Sequence, residues 1–279
     1  MKAKYINPYT DFGFKKIFGE EASKPQLIDF LNALLPEKNK ITDLTFKNPE
    51  NLGLIDSDRK AIFDIYCENE KGEKFIVELQ KAKQNYFKER TIFYSTFPIR
   101  EQAEKGEWNF NLKAIYCIGI LDFTFNDYAN EEDSKQVIHT ITLKDQNNVL
   151  FYDKLTFMYL EMPNFNKVEI ELKSQIDKWL FFIKNLSDLQ TIPNIFKESI
   201  FEQALEKAEI AKFSPIELDY YETSLKSYRD LKGVIDTAFD DGKIEKSAEV
   251  VRKGKRMGIS IKDLSELTGL SEDEIDRIS

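Results

Sequence analysis

Two short runs of strand-forming residues, 60–68 and 74–80, flank the turn sequence Asn69-Glu70-Lys71-Gly72, and nothing else in the chain constrains the fold as tightly. Turn residues between two such runs predict an antiparallel hairpin. Alternate side chains of a strand face the same way. In the first run Ile62, Asp64 and Tyr66 share one face, and Phe63, Ile65 and Cys67 share the other. In the second, Ile76, Glu78 and Gln80 oppose Phe75, Val77 and Leu79. Each strand therefore sets one acid among apolar neighbours, a place that acids avoid unless paired or bound to a cation. If the hairpin brings Asp64 and Glu78 together, their charges repel. A hard divalent cation with oxygen ligands, Mg²⁺ or Mn²⁺, offsets that repulsion, lowers the pKa of bound water and stabilises a phosphoryl oxyanion. The same spacing also fits an edge hairpin whose polar face meets water.

The sequence around the hairpin reads as mixed α/β. Residues 23–35 predict a helix, with Ser23 as N-cap, Pro25 in the first turn, and Leu27, Phe30, Leu31 and Leu34 at helical spacing. Residues 41–46 predict a short strand, and 81–106 a helix kinked at Pro98. The continuous apolar run 112–121 predicts a central strand buried on both faces. Further strands are expected over 137–143 and 155–162. The remainder reads as helical, over 173–186, 195–212, 217–233 and 235–258. It closes in a helix–turn–helix pattern over 260–279, where Ser271 caps a short acidic helix. The expected organisation is a core over 1–165, a helical extension packed on it over 166–233, and a helical tail over 234–279.

Composition removes several functions. The single histidine, His139, excludes zinc chemistry that needs two, and the two cysteines, Cys67 and Cys117, cannot build a disulfide framework. With 22 Phe and 12 Tyr in 279 residues the chain is not a disordered one. The longest apolar run, 114–121, is too short for a bilayer, and the N-terminus has no leader-like apolar core. A soluble, cytoplasmic protein is expected, with no membrane partner. The net charge of −9 argues at first against nucleic acid. However, residues 1–125 hold 19 basic and 19 acidic side chains, so the excess acid lies entirely in 126–279.

The order of motifs resembles the Rpn family of recombination-promoting nucleases, PD-(D/E)XK nuclease family transposases. The resemblance begins at Asn7-Pro8-Tyr9-Thr10-Asp11-Phe12-Gly13-Phe14-Lys15-Lys16-Ile17-Phe18-Gly19 and continues through Leu31-Asn32-Ala33-Leu34-Leu35. It then takes in Phe63-Asp64-Ile65, Phe75-Ile76-Val77-Glu78-Leu79-Gln80, Arg90 with Tyr94, Ile118-Gly119-Ile120-Leu121-Asp122-Phe123 and Gly269-Leu270-Ser271. It implies an α/β, restriction-endonuclease-like core, a mixed sheet flanked by helices, with a helical C-terminal extension. It also implies Mg²⁺-dependent DNA endonuclease activity, with Mn²⁺ as a substitute, in recombination or mobile-element movement. By matching position, Asp64 and Glu78 become metal ligands and catalytic residues. Gln80 becomes the third catalytic residue, in the place of the usual lysine, which departs from the wider superfamily but agrees with the Rpn pattern; being neutral, it would orient the attacking water rather than supply charge. Asp11 becomes a further metal or water ligand, and Lys15, Lys16 and Arg90 become DNA contacts. A catalytically inactive nuclease-fold module that binds DNA or protein is the alternative, and self-association is left open.

Plainer roles exist for most of these residues. Asp11 could cap a helix starting at residue 12. Lys15 and Lys16 are residues most often found as solvated surface lysines. Arg90 and Tyr94, four apart on one helix face, could simply pack on each other. His139 and both cysteines read as structural. The basic segment 242–262 could touch DNA phosphates or form a solvated helix face.

Overall fold

The structure, a computed structural model, describes residues 3–48, 63–103, 109–125, 128 and 130–278. The chain runs α1 (Asp11–Phe18), α2 (Lys24–Leu34), β1 (Leu44–Phe46), β2 (Ile65–Asn69), β3 (Lys74–Gln80), α3 (Phe87–Glu101) and β4 (Ile115–Leu121). It continues α4 (Glu131–Ser134), β5 (Ile138–Lys144), β6 (Leu150–Glu161), α5 (Gln175–Asn185) and α6 (Ser199–Ala208). The long α7 (Pro215–Arg256) leads to α8 (Ile261–Thr268) and α9 (Glu272–Arg277). The six strands form one mixed sheet in the order β1-β2-β3-β4-β6-β5. The β3–β4 and β4–β6 pairs are parallel, and the others antiparallel. This is the expected restriction-endonuclease-like sheet flanked by helices.

The hairpin forms in the register that alternation demands. Ile65 faces Val77, Tyr66 faces Ile76, and Glu68 faces Lys74 across the β2–β3 ladder. Lys74 is buried and pairs with Glu68 at 2.8 Å. Gly72 turns the chain with φ of 78°, a conformation glycine adopts without strain. The part of the expected first strand before residue 63 lies outside the described residues. Every residue of β4 is buried, as its unbroken apolar sequence requires.

The sheet has two differently built faces. On one, Tyr66, Ile76, Cys117, Phe157 and Tyr159 join Phe63 and the α3 residues Phe87 and Phe97 in one apolar cluster. On the other, Phe75, Val77, Leu79, Ile118, Ile120 and Leu160 are buried. Helices α1, α2, α5 and α6 converge on Trp179, whose ring meets Phe18 at 5.3 Å and Phe201 at 4.6 Å. Its indole N–H donates to Asp29 at 2.6 Å, which satisfies the polar end of a buried ring.

Three local expectations need correction. Thr10, not Asp11, caps α1: its hydroxyl accepts from the Gly13 N–H at 2.9 Å, and Asp11 is the first helical residue. α3 starts at Phe87 rather than at 81, because Tyr86 takes a left-handed conformation with φ of 62° and interrupts any helix before it. α7 is one helix of 42 residues where two were expected. Gly233 and Gly242 lie within it where an added Cβ would meet open space, and a glycine in a helix weakens it without ending it.

The chain divides into two compact units, 1–226 and 227–279, within α7. The second has its own small core of Val251, Leu264 and Ile275. Gly254 lets α8 approach closely, since a Cβ there would stand 2.3 Å from Leu264 Cδ2. Lys255 donates to the carbonyls of Ile275 and Ile278, both at 2.7 Å, and so caps α9. Lys246 and Lys253 both pair with Glu249. Much of the basic segment is therefore engaged within its own unit.

Candidate active site

The site begins where the β2–β3 ladder ends. Ile65 facing Val77 is the last pair, and one step further the register sets Asp64 across from Glu78 on the same face of the sheet. With no strand partner left for Leu79 on that side, its N–H donates to Asp64 Oδ2 at 2.8 Å. That bond fixes the Asp64 carboxylate over the β3 backbone between Glu78 and Gln80.

Both carboxyl groups are held above their ordinary pKa. Burial raises Asp64 most. The Leu79 N–H opposes that shift, Asp11 adds to it, and Lys15 and Lys81 oppose it. Burial also raises Glu78, to about 7; the Asp64 charge adds to this and the Arg90 charge opposes it. The Glu78 side chain is only 12% exposed. Its floor is built by neighbouring strands: Glu78 faces Gly119 on β4, and Gly119 faces Tyr159 on β6. A Cβ on Gly119 would lie 3.1 Å from the Tyr159 ring, so the glycine makes room for that ring beside Glu78. Tyr159 in turn shares a 2.6 Å hydrogen bond with Thr91 and ties α3 to the sheet behind the site.

The other expected residues gather around this pair in different ways. Gln80 lies on the same face as Glu78, and both ends of its amide are engaged. Its Nε2 donates to the Ala82 carbonyl at 3.0 Å, and its Oε1 accepts from Arg90 Nη2. Arg90 Nη1 donates to Gln84, and Nη2 stands 3.9 Å from Glu78 Oε2. Asp11 pairs with Lys81 at 2.7 Å. Lys16 is held by Glu217 at 2.7 Å and Glu20 at 3.3 Å, away from the carboxylate pair's own contacts. Among the described residues no group of three or more His, Cys, Asp or Glu is drawn together as a metal cluster. A cation between Asp64 and Glu78 would complete its shell with the Leu79 carbonyl and water.

Two residues escaped the sequence reading. Gln84 lies in the loop before α3, and no periodic signal marks its part in holding Arg90. Glu161, fully buried at the end of β6, accepts from the Phe125 N–H at 2.8 Å, from Asn164 at 2.9 Å and from Tyr128. Both of its carboxylate oxygens accept hydrogen bonds, which makes it a structural tie. His139 stacks on Tyr128 at 4.9 Å beside it, in the structural role expected.

No curated protein and no solved structure matches the chain. No described helix is long and apolar enough to cross a membrane. Residues 8–238, which contain the whole sheet and the Asp64–Glu78 pair, match the PD-(D/E)XK nuclease family transposases, and the chain belongs to that family.

Proposed function

We propose that this protein is a divalent-metal-dependent DNA endonuclease that hydrolyses phosphodiester bonds in the cytoplasm, in the service of recombination or mobile-element movement. The observation that carries the reading is the half-buried pair Asp64 and Glu78, set opposite each other on one sheet face inside the family-matching region. Burial that disfavours two like charges is what a bound cation would relieve, so the donor set fits a hard cation such as Mg²⁺. Asp64, Glu78 and the Leu79 carbonyl would hold it, with Asp11 able to join by releasing Lys81. When bound, the cation supplies an activated water and neutralises charge building on the phosphate.

The chain's own residues do the rest. Leu79 N–H orients Asp64, and the apolar floor behind Glu78 keeps its charge unscreened. Lys15 and Arg90 supply positive charge for the DNA backbone, while Lys16 is taken up by Glu217 and Glu20. The water oxygen bonds to phosphorus, the bond from phosphorus to the 3′ oxygen breaks, and the water's proton passes to solvent. The leaving oxygen takes a proton, so the products are a 3′-hydroxyl and a 5′-phosphate. A plasmid-nicking assay in Mg²⁺ tests this, with Asp64→Ala and Glu78→Ala expected to abolish nicking. Equal nicking by all three proteins would sink the site.

A second reading, an inactive nuclease fold that binds DNA or protein, draws on one observation. Gln80 carries no charge, and its amide is already engaged at both ends. DNA binding by a wild type that does not nick would favour it.

A further inference from the structure

Resting on that reading, we infer that Arg90 supplies the positive charge that the lysine of the nuclease motif would otherwise bring, and that Gln80 is the residue that positions it. Hydrolysis of a phosphodiester builds negative charge on the non-bridging oxygens, and a fixed cation or hydrogen-bond donor aimed at them lowers the barrier. Glutamine at position 80 has no charge to offer. The guanidinium nearest to it does.

Four observations place Arg90 in that role. Its Nη2 both donates to Gln80 Oε1 and stands 3.9 Å from Glu78, so the charge reaches the β3 site from α3. Gln84 takes Nη1, which brackets the guanidinium between two glutamine oxygens that carry no charge to neutralise it. The rings of Phe87 and Tyr94, with centroids 5.4 and 5.7 Å away, hold its plane. Its Nε is buried with no hydrogen-bond partner among the described residues, and its side chain remains 30% exposed. A guanidinium whose hydrogen bonds go to neutral oxygens, with the Glu78 carboxylate 3.9 Å away and further Nη hydrogens and an open side left to it, is arranged to receive an anion.

The other nearby cations are placed differently. Lys81 pairs with the Asp11 carboxylate at 2.7 Å, and Lys16 with Glu217 and Glu20. Lys15 acts on Asp64 from α1. In the cleavage step Arg90 gains and loses no proton: it donates to the oxygens of the phosphate while the bond from water to phosphorus forms and the bond to the 3′ oxygen breaks. Gln80, acting only through Arg90, is a positioning residue.

The test is a set of four proteins, wild type, Arg90→Met, Gln80→Lys and the double variant Q80K/R90M. Each is assayed for Mg²⁺-dependent plasmid nicking and, separately, for Mn²⁺ binding by calorimetry. Arg90→Met is expected to lower turnover by about 100-fold, the scale of one oxyanion donor. Mn²⁺ affinity should hold or tighten, since a positive charge beside Glu78 has been removed. Q80K/R90M is expected to recover about tenfold or more over Arg90→Met, because the lysine returns the charge by the other route. The inference is overturned if Arg90→Met keeps wild-type turnover, or if it loses Mn²⁺ binding in step with activity, which would make Arg90 a prop for Glu78. It is also overturned if the double variant gains nothing over Arg90→Met. If the wild type does not nick and Gln80→Lys does, Arg90 is no substitute but the metal site stands. If neither nicks, the endonuclease reading itself fails, and this inference with it.

Discussion

At neutral pH the fold holds Glu78 where its charge is disfavoured. Its carboxyl titrates at about 7 in the folded protein against 4.5 when unperturbed. Below 4.5 both folded and unfolded chains carry the proton and no penalty arises. Between 4.5 and 7 the unfolded chain loses its proton first, so stability falls as pH rises, and above 7 the loss is constant. A shift of this size corresponds to on the order of 3 kcal/mol. Urea melts in EDTA are expected to show Glu78→Gln gaining on the wild type across that window, with the difference flat above it. A difference independent of pH would contradict the burial argument. Alternation made the face of this acid within its own strand legible in the sequence, while the register that sets Asp64 across from Glu78 came with the pairing of Ile65 and Val77. The engagement of Gln80 was not, since its partners, the Ala82 carbonyl and Arg90, come from a loop and helix whose path depends on the left-handed turn at Tyr86.

Among the elements, β4 decides how deep the site lies. Gly119 stands between Glu78 and Tyr159, and any side chain there must displace the ring. Gly119→Ala is expected to cost about 1–3 kcal/mol in urea melts, as overpacking does. It should also lower nicking by disturbing the Tyr159–Thr91 tie that seats α3 and with it Arg90. A variant as stable and active as the wild type would show that the ring moves freely. The strands were the more legible elements: a hairpin turn, alternation and one unbroken apolar run mark where strands lie, and their pairing came with the structure. Helix ends were less so. The Thr10 cap competes with an equally good capping residue at Asp11, and α7 runs through Gly233, which reads as a break.

For the whole molecule, the proposed function makes charge and metal act together. The net charge of −9 and a site built on two carboxylates oppose DNA until a cation arrives. Two consequences follow from one cause. Nonspecific DNA affinity, measured by filter binding, is expected to be weak in EDTA and at least about tenfold stronger in Ca²⁺, with strong salt dependence. Tight binding to random DNA without metal would count against this account. Mg²⁺ is expected to raise the thermal midpoint more at pH 8 than at pH 5, because a ligand that binds only the folded state stabilises it and binds best when both carboxylates are ionised. Equal shifts at the two pH values would remove the carboxylate pair as the metal site. The most direct trial of the central claim is supercoiled-plasmid nicking in Mg²⁺ by the wild type, Asp64→Ala and Glu78→Ala, each shown to be folded by its melting curve. The account predicts nicking by the wild type, abolished by EDTA and absent from both variants. Nicking that survives either substitution would contradict it.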